Sequence, residues 1–180
     1  MNLIIAHSRS SARWCRLTGA GHWLCACIPT SCPLCANRAV GGRLCLGCAD
    51  DVCATMRQSV RRCPRCALRL AADGTQCPDC IALAPAYART IAAFDYEAPA
   101  DGLIRLFKSS LRYSVARALA ALLVEAVANN NAPLVPGTLL MPVPSSLASL
   151  RRRGFNPAGE IARLLAPQLG LSLVATALRR

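Results

Sequence analysis

At 180 residues the chain has room for one or two domains, and its hydrophobic share of 54% is ample for a core, although aromatics make up only 4% and leave Leu, Ile, Val and Ala to build it. The formal net charge is +12, and Lys108 is the single lysine, so arginine supplies nearly all of the positive charge; that balance alone implies no more than non-specific attraction to nucleic acid or other polyanions. No run approaches the roughly 18 uncharged apolar residues of a membrane-spanning helix, so no membrane span is predicted.

Residues 1–23 hold Arg9, Arg13 and Arg16 but few periodic apolar features, and the expectation is a disordered segment. Residues 1–30 show no apolar core followed by a small-residue cleavage site, as a secretory leader would need. The expected setting is therefore the cytoplasm, with the 12 cysteines reduced. His7 falls in this segment and is assigned no role.

Residues 24–85 are organised by cysteine. Eight of the 12 fall in four C-x-x-C pairs: Cys32/Cys35, Cys45/Cys48, Cys63/Cys66 and Cys77/Cys80. The stretch "CPLCANRAVGGRLCLGC" aligns with "CPRCALRLAADGTQCPDC", so one unit is used twice at a period of about 31 residues. The two pairs of a unit are nine residues apart in the first and ten in the second, with Gly41-Gly42 and Asp73-Gly74 as hairpin turns between them. Two residues between cysteines let both sulfurs reach one ion, and a hairpin returns the second pair to complete a tetrahedron at about 2.3 Å per Zn–S bond. Such a unit has almost no core, so the metal must supply its folding energy. Two zinc ions are expected, and two four-thiolate sites of about −2 each bring the net charge to about +8.

Other chemistries use the same ligands. A redox C-x-x-C occurs once, at a helix start after a strand, and four in tandem speak against it. An iron–sulfur cluster also takes four cysteines, but paired hairpins favour zinc, and disulfides are the third alternative. A cross-braced arrangement, first pair with third and second with fourth, ranks below local closure of each hairpin. Cys15, Cys25, Cys27 and Cys53 are left as buried or incidental thiols; His22 and Cys25 have ligand-like spacing without further partners.

Beyond the cysteines, "AYARTIAAFDYEAP" (residues 86–99) reads as a strand or hairpin from its β-branched and aromatic residues. Leu103, Ile104, Leu106 and Phe107 define a short amphipathic helix. Residues 113–128 predict a helix with Leu119, Leu122, Leu123, Ala126 and Val127 on its buried stripe. "NNNAPLVPG" is a polar, proline-rich loop, and "TLLMPVP" (residues 138–144) a strand whose Pro142 and Pro144 belong at its end. Asn156 and Pro157 have the form of an N-cap and first helical residue, followed by Ile161, Leu164, Leu165 and Leu169 at helical spacing and Gly170 as the stop. "LSLVATAL" (residues 171–178) is a further strand. This alternation predicts an α/β unit with a parallel sheet.

In this order, the paired knuckles, "AAFDYEAPADGLIRLFK", the "PVP" strand end and "LRRRGFNPA" resemble the ComF family over residues 24–180. The resemblance implies a small zinc-ribbon module of two four-cysteine hairpin units, residues 24–85, followed by a type I phosphoribosyltransferase-like α/β domain. It also implies a role in bacterial competence and in handling transforming DNA. It further implies that the loop after the "PVP" strand faces pyrophosphate. Ser145 and Ser146 are small enough for backbone N–H groups to approach an anion, Arg151, Arg152 and Arg153 add charge, and the helix after Asn156 adds its dipole. The plain reading is that the three arginines form a solvated basic loop.

The family's acidic loop, DD-x-x-T-T-G-x-T, which binds the ribose 5-phosphate of phosphoribosyl pyrophosphate, has no counterpart in this sequence. The expectation is therefore a partial domain over residues 86–180, a fragment or frameshift product without catalytic residues of its own. No phosphoribosyl transfer is expected from it, and phosphoribosyl pyrophosphate and magnesium would be ligands only of a complete domain. An apolar strand near Leu139–Val143 left without neighbours would be an aggregation hazard. The competing function is a binding module in which Arg38, Arg43, Arg61, Arg62, Arg65 and Arg69 present a basic surface to single-stranded DNA or to competence and recombination proteins, although stacking aromatics are nearly absent there. A third is structural: the ribbons cap the α/β domain or dock a partner.

Overall fold

The computed structural model describes residues 3–7, 27–57, 60–71, 77–130, 134–175 and 177–178. In chain order they form β1 (Leu3–His7), β2 (Pro29–Ser31), β3 (Arg38–Val40), α1 (Leu46–Arg57), α2 (Pro78–Leu83), α3 (Ala100–Lys108), α4 (Val115–Ala128), β4 (Thr138–Pro142), α5 (Leu147–Arg153), α6 (Pro157–Leu169) and β5 (Ser172–Leu173).

The helices form where the apolar spacing demands. Leu103, Ile104 and Phe107 lie on one side of α3 and are buried. The buried residues of α4 are Val115, Ala116, Ala118, Leu119, Ala120 and Leu122, a broader face towards its N-terminus than the expected stripe, while Leu123 and Ala126 are only partly covered. Its alanines let neighbouring elements approach closely, and α4 packs along α6. In α6 the Asn156 side chain accepts from the Ala158 N–H and Gly170 closes the helix at φ 64°, as the cap pattern predicts.

One buried cluster joins Leu103, Phe107, Val115, Leu119 and Ile161 to Val52 and Cys53 of α1, with Leu34 and Leu44 packed against it. The first cysteine unit therefore shares its core with the helices. A second cluster seats Leu140 of β4 on Ala162, Leu165 and Ala166 of α6. Full burial of a side chain such as Phe107 or Leu103 contributes about 1.5–3 kcal/mol.

The sheet order is β1–β4–β5. β4 pairs parallel to β5, with Leu139 opposite Ser172 and Leu140 opposite Leu173, and α5 and α6 form the crossover between them. β1 pairs antiparallel to β4, from Leu3 opposite Pro142 to His7 opposite Thr138. β4 is thus flanked on both sides, against the expectation of a strand without neighbours. Leu3–His7 is ordered as a strand where disorder was expected; the rest of residues 1–23, with Cys15, His22, Cys25 and the Asp73-Gly74 turn, lies outside the described residues.

Two other expectations are corrected. Residues 86–99 form no strand: Ala93 is buried in the core cluster and Asp95 is held by arginines of the second cysteine unit, so tertiary contacts fix this segment instead of a ladder. The arginine run expected in a loop is the last turn of α5, where positive charge is favoured by the helix C-terminus.

Candidate metal centres

Each cysteine unit is built the same way around its first pair. In the first, the antiparallel β2–β3 ladder ends with Ser31 opposite Arg38; in the second, an isolated bridge sets Arg62 opposite Arg69. Both are the positions just before the first cysteine and three after the second. Cys32 N–H donates to Asn37 O at 2.7 Å and Ala36 N–H to Cys32 O at 2.9 Å; Cys63 N–H donates to Leu68 O at 2.8 Å and Ala67 N–H to Cys63 O at 2.9 Å. The turn needs a left-handed residue after the second cysteine, and alanine supplies it in both, with φ of 61° at Ala36 and 65° at Ala67. Backbone N–H groups are thereby turned on the first sulfur: Cys66 N–H lies 3.5 Å from Cys63 Sγ.

The second pairs depart from the sequence expectation of hairpin knuckles. Cys45 immediately precedes α1 and Cys77 is the N-cap of α2, so Cys48 and Cys80 stand in the first turns of helices. In the first unit the β2–β3 hairpin brackets the first pair instead of joining the two pairs; in the second the expected Asp73-Gly74 turn lies outside the described residues. Gly41 and Gly42, at φ 64° and 71°, turn the chain from β3 towards Cys45. Gly42 N–H donates to Thr30 Oγ1 at 3.1 Å, and a Cβ there would come within 3.1 Å of Arg117 Cδ on α4.

The structure gathers Cys32, Cys35, Cys45 and Cys48 in one group and Cys63, Cys66, Cys77 and Cys80 in the other, with all sulfurs of a group within 4.8 Å of one another. The pairing is local, not cross-braced. Sulfur separations are 3.5 Å for Cys35–Cys45, 3.7 Å for Cys63–Cys80 and 3.5 Å for Cys66–Cys77. A tetrahedron with Zn–S bonds of about 2.3 Å has edges of about 3.8 Å, so both groups fit a zinc ion and are too wide for disulfides, whose S–S bond is about 2.05 Å.

Thiolate formation is favoured at the first cysteine of each group and opposed at the last. At Cys63 the Cys66 N–H, against burial, brings the thiol down to about 6. Burial opposes ionisation at Cys32, but N–H groups of Cys35, Cys45 and Leu34 outweigh it and also bring it to about 6. Burial and the neighbouring sulfurs push Cys80 up to about 12 and raise Cys48 as well. Without a cation, a four-sulfur group cannot hold four negative charges, which is the condition a divalent ion removes. Of the remaining cysteines, Cys53 is buried in the core with its thiol pushed up by that burial, and Cys27 is exposed.

An ionic clamp that the sequence reading missed fixes the second unit. Asp95 accepts from Arg62 through both guanidinium NH groups at 2.9 and 2.7 Å and from Arg69 at 3.0 and 2.5 Å. Arg62 also donates to Ala67 O at 3.1 Å and to Thr55 O of α1 at 2.9 Å. One side chain therefore ties the knuckle, the first unit's helix and the 86–99 segment together. Arg69 pairs with Glu97 as well, at 3.0 Å. Arg62 and Arg69 consequently belong to docking, not to a free basic surface; Arg38, Arg43 and Arg65 are exposed. The sequence offered only a weak signal: Arg62 and Arg69 stand symmetrically about the Cys63/Cys66 pair, but Asp73 and Asp79 are nearer in sequence than Asp95.

The residues of the expected pyrophosphate loop are only partly brought together. Ser146 caps α5, accepting from Ser149 N–H at 3.3 Å, and Ser145 Oγ donates to Asn156 Oδ1 at 3.0 Å. Asn156 also donates to Val143 O at 3.1 Å, tying the end of β4 to the start of α6. Arg151, Arg152 and Arg153 stand at the other end of α5, about 10 Å from Ser146 for Arg153 at 1.5 Å rise per residue. Among the described residues no helix is long and apolar enough to cross a membrane.

The fold and sites together define a protein with two four-cysteine units docked on helices and a small sheet. Two curated proteins are homologous to it. The DNA utilization protein YhgH of Salmonella typhimurium is 33% identical over 123 residues, covering 67% of this chain and 54% of that protein. The DNA utilization protein YhgH of Salmonella typhi is 32% identical over 123 residues, with the same coverage. The chain spans about half the length of the curated relatives it matches. No protein-family model matches the chain, and no solved structure matches it.

Proposed function

We propose that this is a ComF-family protein acting in DNA utilisation, in which two structural zinc ions hold a cysteine-rich module against an α/β domain of phosphoribosyltransferase-like type, and that its role is to bind DNA. The observation that carries this reading is the match to DNA utilization proteins across 67% of the chain. The sulfur tetrahedra support the metal, since their edges suit zinc and the units have little other core. The parallel β4–β5 pair with its helical crossover supports the α/β ancestry. Phosphoribosyl pyrophosphate and magnesium would be ligands only of a complete domain, and this reading assigns them no residue here; the Ser145 and Ser146 hydroxyls are engaged with Asn156 and Ser149.

The test is to purify the full chain, measure its metal content, and titrate it against labelled DNA at increasing salt. Two zinc ions per chain and an affinity that falls steeply with salt are expected. Absent or salt-insensitive binding refutes the DNA role; iron, or no metal with reduced thiols, refutes the zinc assignment.

A further inference from the structure

Positive charge on this protein is distributed unevenly once its ion pairs are drawn. Asp50, Asp95, Glu97, Asp101, Glu125 and Glu160 are paired with Arg57, Arg62, Arg69, Arg105 and Arg163. Among the described residues Arg112, Arg151, Arg152 and Arg153 have no acidic partner, and neither do Arg38, Arg43, Arg65, Lys108 and Arg117. What sets the first four apart is their position: Arg112 and the end of α5 that carries the other three adjoin a group of three aromatic rings in a chain that has very few.

Phe107 of α3 lies 5.3 Å from Phe155, centroid to centroid, and Phe155 lies 4.6 Å from Tyr113. Phe107 is fully buried, Phe155 nearly so, and Tyr113 is 52% exposed, so the stack runs from the core to solvent and ends in an open ring. Gly154, at φ 76°, ends α5 directly after the arginine run; this turn sends Phe155 into the stack while Arg151 and Arg152 stay exposed. A Cβ on Gly154 would sit 4.0 Å from the Tyr113 hydroxyl, which sets the arginine end of α5 beside the ring. Arg112 precedes Tyr113 on its other side and is exposed.

We propose that this surface is a single-stranded nucleic-acid platform: Tyr113 stacks an unpaired base, and Arg112, Arg151 and Arg152 contact the phosphates on either side. The proposal rests on the DNA-binding reading above and locates it away from the cysteine units. A half-exposed ring backed by two others is a rigid stacking surface, and every base offers it a π-face. Unpaired guanidinium groups beside it complement a polyanion. In a duplex the base faces are covered by their neighbours, and acidic side chains offer no aromatic face to Tyr113, so a single strand uses both halves of the surface.

The test is fluorescence anisotropy of the full zinc-loaded chain with a labelled single strand of about 16 nucleotides, and with its duplex, across a salt series. The variants are the double substitution Arg151→Ser with Arg152→Ser, then Tyr113→Leu and Tyr113→Phe. The arginine variant is expected to bind at least tenfold more weakly and to lower the salt slope by about 1.4, or 0.7 per phosphate contact. Tyr113→Leu is expected to weaken single-strand binding about tenfold, and Tyr113→Phe, which keeps the ring, to bind as the parent does. The arginines are exposed, so their variant decides the matter if Tyr113→Leu does not fold. If the parent binds and all variants bind equally well, the platform is wrong and the DNA role stands. Duplex binding as tight as single-strand binding, unchanged by Tyr113→Leu, overturns the stacking. If the parent binds no DNA, the DNA role itself falls and the platform with it.

Discussion

Replacing Asp95 with alanine tests how the second cysteine unit is held. The carboxylate is the shared acceptor of Arg62 and Arg69, and the side chains of Asp95 and Arg62 are 21% and 14% exposed. Breaking a fully buried pair from one side costs about 3–5 kcal/mol, because the other charge is left without compensation. Here Arg62 keeps the carbonyls of Thr55 and Ala67 and both partners touch solvent, so about 2–3 kcal/mol is expected for Asp95→Ala. At this chain length that lowers Tm by roughly 5–10 °C. The assay is urea unfolding at fixed free zinc, since bound metal shifts apparent stability by mass action. Glu97→Ala, which removes a carboxylate that is half exposed, should cost no more than about 0.5 kcal/mol. The pH dependence has a definite sign. Hydrogen bonding from Arg62 first, then Arg69, outweighs burial and holds the Asp95 carboxyl well below the usual range. Its contribution is therefore complete above the unfolded value of about 3.9 and is lost as pH falls from there towards the folded value. The difference between parent and Asp95→Ala should be constant from neutral pH to about pH 5 and shrink below about pH 4. A variant within about 0.5 kcal/mol of the parent, or a difference that grows in acid, would refute the clamp.

Cys48→Ser should reduce the zinc content from two ions to one and leave the second unit's ion in place, because each group closes locally; loss of both ions on mass spectrometry would contradict independent sites. Ala67→Val should lower the melting temperature of the zinc-loaded chain, at a cost of about 1–2 kcal/mol, since φ at that position is 65° and a branched side chain fits the left-handed region poorly; Ala67→Gly should be neutral or slightly stabilising. Asn156→Ala removes a helix cap and the bonds to Val143 and Ser145, for an expected loss of about 2 kcal/mol in denaturant unfolding.

The cysteine groups and most helices were legible in the sequence because both are set by local spacing. C-x-x-C pairs repeated at a fixed period leave few alternatives, and Leu103, Ile104 and Phe107, or Asn156-Pro157 followed by Ile161 and Leu165, announce a helix face within a few residues. What was not legible depends on partners distant in sequence. The 86–99 segment has strand-like composition, but Asp95 answers to Arg62 and Arg69, 33 and 26 residues away. The helix α1 was obscured by its own cysteine. Val52, Cys53 and Met56 have helical spacing, yet Cys48 reads first as a metal ligand. The arginines of α5 were read as a loop because they follow the "PVP" strand end as a run of charge, though Gly154 after them is the ordinary end of a helix.

The two cysteine units, nearly identical around their first cysteine pairs, are docked by different forces. In the first, Leu34 packs against α3 beside Gly102, Leu44 lies on the core cluster, and Val52 and Cys53 from the helix after Cys48 enter it. In the second, the helix after Cys77 stops at Leu83 and buries no residue, with Ile81 and Leu83 exposed, and no described residue of the unit joins the buried cluster. Arg62 and Arg69 take the place of that apolar contact. Hydrophobic burial is indifferent to pH and strengthened by salting-out ions, whereas a half-exposed ion pair is weakened by salt and by acid. The repeat thus has its four-cysteine geometry twice while only the first copy is integral to the core, and the second is attached through Arg62 and Arg69, which reach Asp95, Glu97 and the Thr55 carbonyl outside the unit.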